Sequence, residues 1–388
     1  MKKLFWFGWL GLLLFEVANV YFIMPMPGSQ QMNSIDAAYF LHRWRWVIRG
    51  LFTLMIIVGL LRAKWHRVWG WALVLPLFAL AAVIYMANFK MAADAMFRQP
   101  KQLVIASATE NRVDSNRLVL GVTVNGESKA YPIRFIAYHH HVQDIVGGRP
   151  ILVTYCTVCR SGRVYEPIIN GKHETFRLVG MDHFNAMLED ATTKSWWQQA
   201  TGEAVAGKLK GQQLPEVVST QTSMFKWMEL HPDSKVMQVD SAFISSYDTT
   251  MKYESGKSKN KLTRTDSLSW KDKSWVIGVK CENERKAYDW NQLKKERIIH
   301  DKMGNMNVAI VLASDDKSFF AFELPATGVA LSMVSDTLLL NNNHFRIDGK
   351  GIDTSYSLKQ LQAYQEFWHS WRTFQPNTKK YESPVATD

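Results

Sequence analysis

The sequence predicts a mainly β protein with short helices, a β-rich α+β chain with an internally duplicated soluble region, preceded by about three transmembrane helices. Three observations predict it. Residues 1–94 hold apolar runs near 4–24, 47–61 and 68–89, whereas the chain beyond Met96 turns to short alternating runs. Asn125-Gly126 and Asn170-Gly171 each separate two such runs, the strongest short-range sign of a β-hairpin. VLGVTVNGESKAYPI (119–133) aligns without gaps on VIGVKCENERKAYDW (276–290), a self-similarity that marks repetition of a whole unit.

The first apolar run is broken only by Glu16 and Asn19, shows no small-x-small cleavage site and is followed by more apolar chain, so it reads as a span rather than a signal peptide. Glu16 is either a functional intramembrane acid or a group set against another helix. The run 47–61 is short and spans only if Trp46 and Arg49 snorkel at its interfacial end; the run 68–89 has full length. Lys2 and Lys3 before the first run, and Arg62, Lys64 and Arg67 before the third, want the cytoplasmic side. His42, Arg43 and Arg45 fall opposite, against that rule. Trp44, Trp46, Trp65, Trp69 and Trp71 suit the interfacial belts. The expectation is a multi-pass inner-membrane protein whose carboxy-terminal part faces the periplasm or exterior.

Beyond the membrane region, 118–124 and 128–133 make one hairpin, 151–155 is a strand that delivers Cys156, and 164–169 with 175–179 makes a second hairpin. Met224–Leu230, stopped by Pro232, is a short helix. The repeat extends past its best-aligned run: 151–155 corresponds to 308–312, and FKWMELHPD (225–233) to FWHSWRTFQPN (367–377). This divides the chain into 1–94, a first repeat 95–240 and a second repeat 241–388, with a polar linker around 235–265.

The net charge of +11 is spread out, with local runs at 257–261 and 294–297. No Gly-rich phosphate loop, zinc-finger spacing or basic helix accompanies it, so neither nucleic acid nor a nucleotide cofactor is expected. A chain of 388 residues with three cysteines is no disulfide scaffold. Two of the three form Cys156-x-x-Cys159, preceded by His139, His140, His141 and Asp144. Thiolate and imidazole suit zinc, copper or iron, and the same spacing suits a dithiol that opens and closes as a disulfide. A helix starting after Pro132 would fan the three histidines apart, leaving at most one or two as ligands. Asp182 and His183 follow a strand, and Glu189, Asp190, Thr193, Trp196, Trp197 and Gln198 crowd the next turn as for a lined cavity.

The expected metal ligands are therefore Cys156, Cys159, His139 and His183, surrounded by His140, His141, Asp144 and Tyr155, with Asp182, Trp197 and Gln198 binding a cofactor. The ion is copper or zinc ahead of iron; the haem-attachment motif CxxCH is absent because Arg160, not His, follows Cys159, which leaves noncovalent haem open. Metal delivery or electron transfer is the leading function, with the lipid bilayer and another membrane or periplasmic protein as partners. The alternatives are a thiol–disulfide oxidoreductase using Cys156 and Cys159, and an interaction subunit of a membrane complex. Cys281, at an ordinary strand position opposite Val124, is structural.

The run KAYPIRFIAYHHHVQDIVGGRPILVTYCTVCRSGRVY, then MLEDATTKSWWQQATGEAVAG, then FWHSWRTFQPNT resembles DUF3179, a bacterial and archaeal domain family of unknown function, over roughly 100–380. Matched by position, the resemblance marks Lys129, Tyr131, Pro132, His139, Asp144, Tyr155, Cys156, Cys159 and Ser161, then Asp190, Thr193, Ser195, Trp197 and Gln198. The chain departs from the family pattern at Tyr138 for Trp, His140 for Glu, Gln143 for Asn, Thr157-Val158 for Pro-Leu, and Arg160 for Gly. The resemblance implies where a site lies and supplies no activity. The three-helix region lies outside it.

Overall fold

The computed structural model describes residues 1–63, 65, 72–281, 283–325 and 330–383. It divides into one unit of Met1–Gln99 with Glu174–Gln213 and another of Pro100–His173 with Leu214–Asp388.

In the first unit, helix α1 (Lys2–Tyr21) and helix α2 (Ile35–Arg62) are each long and apolar enough to cross a bilayer. A third helix, α3 (Val74–Tyr85), continues through a π-helical turn, Met86–Lys90, and is shorter. Two clear spans therefore replace the three expected; Lys64, Arg67, Trp69 and Trp71 lie outside the described residues. The second span begins at residue 35 rather than 47, because its charges need not snorkel. Arg49 donates to both carboxylate oxygens of the buried Glu16 (2.6 and 2.8 Å) and to Asn88 Oδ1 (2.6 Å), and Asn88 Nδ2 returns to Glu16 (3.0 Å). α1 and α2 approach so closely that a Cβ on Gly59 would stand 2.6 Å from Phe5 Cβ, the small-residue packing typical of membrane helices.

A four-stranded antiparallel sheet completes this unit, in the order Ala204–Ala206, Trp196–Gln198, Asn185–Asp190, Phe176–Asp182. Met181 N donates to Ile23 O (2.9 Å), and a Cβ on Gly180 would meet that same oxygen at 2.5 Å. Glycine is what lets the α1–α2 connection lie against the sheet.

The second unit contains two runs of elements in the same order. Leu118–Val124 turns through Asn125 and Gly126, both at positive φ (49° and 83°), into Glu127–Pro132. Helix Ile133–His139 follows, then the antiparallel strands His141–Val146, Arg149–Cys156 and Ser161–Tyr165. Ser219–Ser223 and helix Met224–Leu230 lead to Lys235–Met237, which pairs in parallel with Glu127–Pro132. Later come Trp275–Cys281, Glu284–Asp289, helix Trp290–Glu296, and strands Ile298–Met303, Met306–Leu312 and Phe319–Leu324. Ala363–Phe367, helix Trp368–Phe374 and Lys379–Lys380 end this run, the last strand again pairing in parallel. Trp227 covers Gly121 and Trp371 covers Gly278 so closely that an added Cβ would meet either ring at 2.0 and 2.1 Å.

Other expectations change here. Asn170-Gly171 joins only Ile168–Ile169 to Lys172–His173, and Phe176–Asp182 pairs with Asn185–Asp190 instead. The polar stretch 235–265 is not a bare linker: it starts with a strand in the sheet and buries Glu254 against Arg117.

Candidate functional site

Cys156 pairs with Ser161 at the end of the strand ladder, and residues 157–160 turn between them. The left-handed residue of this turn is Arg160, at φ 57°. Gly162 takes no part in the turn: it sits inside the strand opposite Tyr155, where a Cβ would lie 3.1 Å from Leu120 Cδ2. A residue with a Cβ resists positive φ. Arg160 is held there by its guanidinium, stacked 3.7 Å from the Trp275 ring centroid and donating to Gln365 Oε1, Tyr253 O and Glu254 O (3.2, 3.1 and 3.0 Å).

Both sulfurs are buried, with residue exposures of 2% for Cys156 and 0% for Cys159, and no disulfide forms among the described residues. Their cover comes from residues the sequence reading did not select. Lys273 Nζ donates to Val158 O (2.7 Å) and Leu262 O (2.8 Å), 4.6 Å from the Phe367 ring centroid. Tyr253 donates its hydroxyl to Thr157 O (3.1 Å) and lies 3.0 Å from the Tyr155 hydroxyl. Phe367 N donates to Cys159 O (2.9 Å). His369 Nε2 stands 3.1 Å from Lys273 Nζ and 3.2 Å from Val158 O. An ammonium and a phenol thus grip the two carbonyls between the cysteines.

The charges follow from burial. It lowers the Lys273 ammonium from 10.5 to about 8, while Cys159 and Cys156 act in the opposite direction. Burial, helped by the charge on Lys273, takes His369 down to about 4, so a neutral imidazole faces that ammonium. Burial pushes the Tyr155 phenol up to about 12, with Arg160 opposing.

The three histidines occupy three backbone states. His139 ends its helix with Nε2 2.7 Å from the Tyr247 hydroxyl. His140 caps that helix at φ 63°, where burial holds its imidazole down at about 4. His141 opens a strand opposite Thr154. Asp144 accepts from Lys129 Nζ (3.0 and 3.2 Å) and the Tyr131 hydroxyl (2.7 Å), tying its strand to the hairpin.

Asp182, His183, Trp197 and Gln198 belong to the first unit, whereas Cys156, Cys159, His139 and Tyr155 belong to the second. His183 Nδ1 and Gln198 Nε2 both bond Asp182 (2.8 and 3.1 Å), and this bond to Asp182 raises the His183 imidazole above 6.5 against burial. Trp197 Nε1, Thr193 Oγ1 and Ser195 N all donate to Asp190 Oδ2 (2.9, 2.7 and 3.1 Å), which builds the tight turn before Trp196. The neighbouring Gln199 accepts from Asn185 Nδ2 (2.8 Å). Burial works to raise the Glu189 carboxyl, but His42, Arg177 and Trp196 overcome it and hold the group at about 2.

Among the described residues no group of three or more His, Cys, Asp or Glu side chains is placed to hold a metal ion. The donors that surround the CxxC turn are two thiols, an ammonium, phenols and one imidazole, a set that lacks the further anionic or imidazole ligands of a closed structural site. Lys273, Tyr253 and His369 had little signal: Lys273 sits in an ordinary charged run, and only the echo of 225–233 in 367–377 drew attention near His369.

No curated protein and no solved structure matches the chain. One family does, described as a protein of unknown function, and it covers residues 98–378, which include the CxxC turn and both runs of elements up to the last strand of the second. The chain belongs to the DUF3179 family.

Proposed function

We propose that this DUF3179 protein is a membrane-anchored dithiol protein in which Cys156 and Cys159 cycle between thiols and a disulfide. The observation that carries this reading is Lys273, whose ammonium is seated on the carbonyl of Val158, between the two cysteines. A cation beside a thiol favours the thiolate, the form that attacks a disulfide. A cleft of about 710 Å³ with Arg264, Trp270 and Lys273 in its wall gives small co-reactants an approach to that ammonium. In the exchange, one thiolate attacks a sulfur of a partner's disulfide and releases one partner thiolate. The second cysteine then attacks the mixed disulfide, closes the Cys156–Cys159 bond and releases the other thiolate; the partner gains two electrons and the protein loses two. The electron acceptor on the partner side is a protein or low-molecular-weight disulfide.

The full chain, purified in detergent without added metal, tests this. Equilibration in a thiol–disulfide buffer is expected to yield a two-electron Cys156–Cys159 couple by mass spectrometry, and Lys273→Met is expected to slow alkylation at pH 7.5 about tenfold. Alkylation unchanged in Lys273→Met would sink the reading. So would elemental analysis finding one copper, zinc or iron per chain that is lost in Cys156→Ser, Cys159→Ser, because it would restore the metal reading.

Lys273 also carries a pH signature. Its folded value of about 8 lies below the ordinary 10.5, so between these values the unfolded chain binds a proton that the folded chain lacks. Stability is therefore expected to rise with pH across that window, by roughly 3 kcal/mol. Denaturant midpoints of Cys156→Ser, Cys159→Ser between pH 7 and 10.5, with and without Lys273→Met, read this out; equal slopes would refute it.

Several observations support placing the domain outside the cytoplasm as a multi-pass protein. α3 runs alongside α1, Trp9 meeting Pro76 (2.9 Å) and Glu16 meeting Asn88 (3.0 Å), which returns the chain to the end of α1 remote from Lys2 and Lys3. Met181 bonds Ile23 at that same end. An oxidising compartment supplies the disulfide co-reactants, and a membrane or periplasmic protein is the natural partner. The two runs of elements are read as an intramolecular duplication. Lys129, Tyr131 and Asp144 recur as Lys286, Tyr288 and Asp301 (2.6 and 2.8 Å to Asp301), and Trp227 bonding Ser234 recurs as Trp371 bonding Thr378 (both 2.7 Å). The second copy then serves as the cover of the first copy's cysteines.

A further inference from the structure

In the first unit a cleft of about 500 Å³ lies where α1 ends, α2 begins and α3 ends. Its cations are not all used within the fold. Arg177 is held by Glu189 (2.7 Å) and Asp94 (3.0 Å), and His42 lies 3.4 Å from Glu189. Arg43, Arg45 and Lys194 also line the cleft and have no carboxylate partner among the described residues. Among the described residues Arg45 donates only to a backbone carbonyl, that of His42 (2.6 Å). In the same cleft Asn19 Oδ1 is buried with no hydrogen-bond partner among the described residues, an exception that native folds keep rare. The remaining wall is apolar, formed by Val20, Ile23, Met24, Ala87 and Met91.

The surroundings say what kind of molecule has a cationic end, a hydroxyl-seeking corner and an apolar flank to satisfy. Phe40, Trp44, Trp46, Tyr85 and Phe89 are exposed at this end of the helices, the pattern of an aromatic belt at the level of lipid headgroups. Arg43 and Arg45 also lie on the side that the distribution of positive charge disfavours, and a bound anion gives them a reason to be there. We infer that the cleft binds the headgroup of an anionic glycerophospholipid, its phosphate on Arg43 and Arg45, a headgroup hydroxyl on Asn19, and its acyl chains along the apolar wall. The same phosphate chemistry is offered by free phosphate, which lacks the hydroxyl and the chains.

Native mass spectrometry of the full chain in non-ionic detergent distinguishes the two, with phosphatidylglycerol, phosphatidylcholine and inorganic phosphate as probes. One phosphatidylglycerol per chain is expected to bind saturably and phosphatidylcholine not to compete. Arg43→Gln, Arg45→Gln is expected to weaken binding roughly thirtyfold, about a factor of five for each basic group at a membrane surface. Asn19→Ala leaves every charge in place and is expected to weaken it about fivefold, the loss of one hydrogen bond. An unchanged melting curve without lipid shows that either variant is folded; where the arginine pair fails that control, Asn19→Ala decides. Equal binding of the two lipids, or wild-type affinity in the folded variants, overturns the proposal. Inorganic phosphate that displaces phosphatidylglycerol at equal concentration overturns the lipid assignment.

Discussion

Replacing Glu366 by glutamine is expected to destabilise the second unit by about 3–5 kcal/mol, the cost of leaving one member of a buried ion pair alone. Glu366 is bonded by Arg163, with both side chains 1% exposed, and accepts a further hydrogen bond from Ser370 (2.8 Å). The Arg163 guanidinium lies 3.5 Å from the Tyr364 ring centroid. Glutamine keeps the shape and the bond to Ser370 but removes the charge, so a guanidinium remains buried with the partly exposed Glu216, 3.9 Å away, as its nearest other acid. For a unit of this size the melting temperature is expected to fall by about 10 °C. The double variant Arg163→Met, Glu366→Leu leaves no buried charge and is expected to lose far less than the two single changes added together. Because Phe367, the next residue, donates to Cys159 O, Glu366→Gln is also expected to speed alkylation of the cysteines. Additive losses in the double variant, or a melting shift within a degree or two, would show that the pair does not carry this energy.

Much of this architecture was legible because local rules and tertiary packing agreed. Asn125-Gly126 supplied the two positive-φ residues a tight hairpin needs, and Pro132 marked the start of helix Ile133–His139. The aligned stretches 119–133 and 276–290 correspond to strand–turn–strand units in both runs. Gly121 and Gly278 sat at matching positions, and each lies beneath a tryptophan from its own run. In the CxxC turn the sequence pointed to the cysteines but not to what surrounds them. Lys273 reads as one more surface lysine in Lys271-Asp272-Lys273, and only packing of Phe367, Val158 and Leu262 around it withdraws it from water. Tyr253 was hidden for the same reason, in a stretch whose polar composition reads as linker.

Hydropathy misplaced the start of α2 for an electrostatic reason. A window that counts His42, Arg43, Arg45 and Arg49 as penalties cannot know that Glu16 lies opposite one of them or that a polar cleft receives others. Arg160 shows the reverse situation. Arg160 stands where the family pattern has glycine, and it holds the left-handed conformation with its side chain anchored by Trp275 and Gln365. Substituting glycine there would relieve the backbone and remove the clamp together.

Glu16→Ala is expected to cost the helical part about 3 kcal/mol or more, because it strands Arg49 among apolar helices. Glu16 is fully buried, and both its oxygens are taken by Arg49 and Asn88. Without the carboxylate, Arg49 keeps the Asn88 oxygen (2.6 Å) and the faces of Trp46 and Phe15, 5.0 and 5.8 Å away, which offset only part of the charge. Arg49→Leu is expected to cost a similar amount by leaving the acid, whereas Glu16→Ala, Arg49→Leu together carries no charge into the apolar layer. The discriminating quantity is the coupling energy from unfolding the four proteins in mixed micelles. A coupling above about 2 kcal/mol assigns the pair to holding α1 against α2. A coupling near zero, with the double variant as weak as the sum of the singles, would mean that each residue reaches water or lipid headgroups on its own, and that the pairing of Glu16 with Arg49 does not organise the anchor.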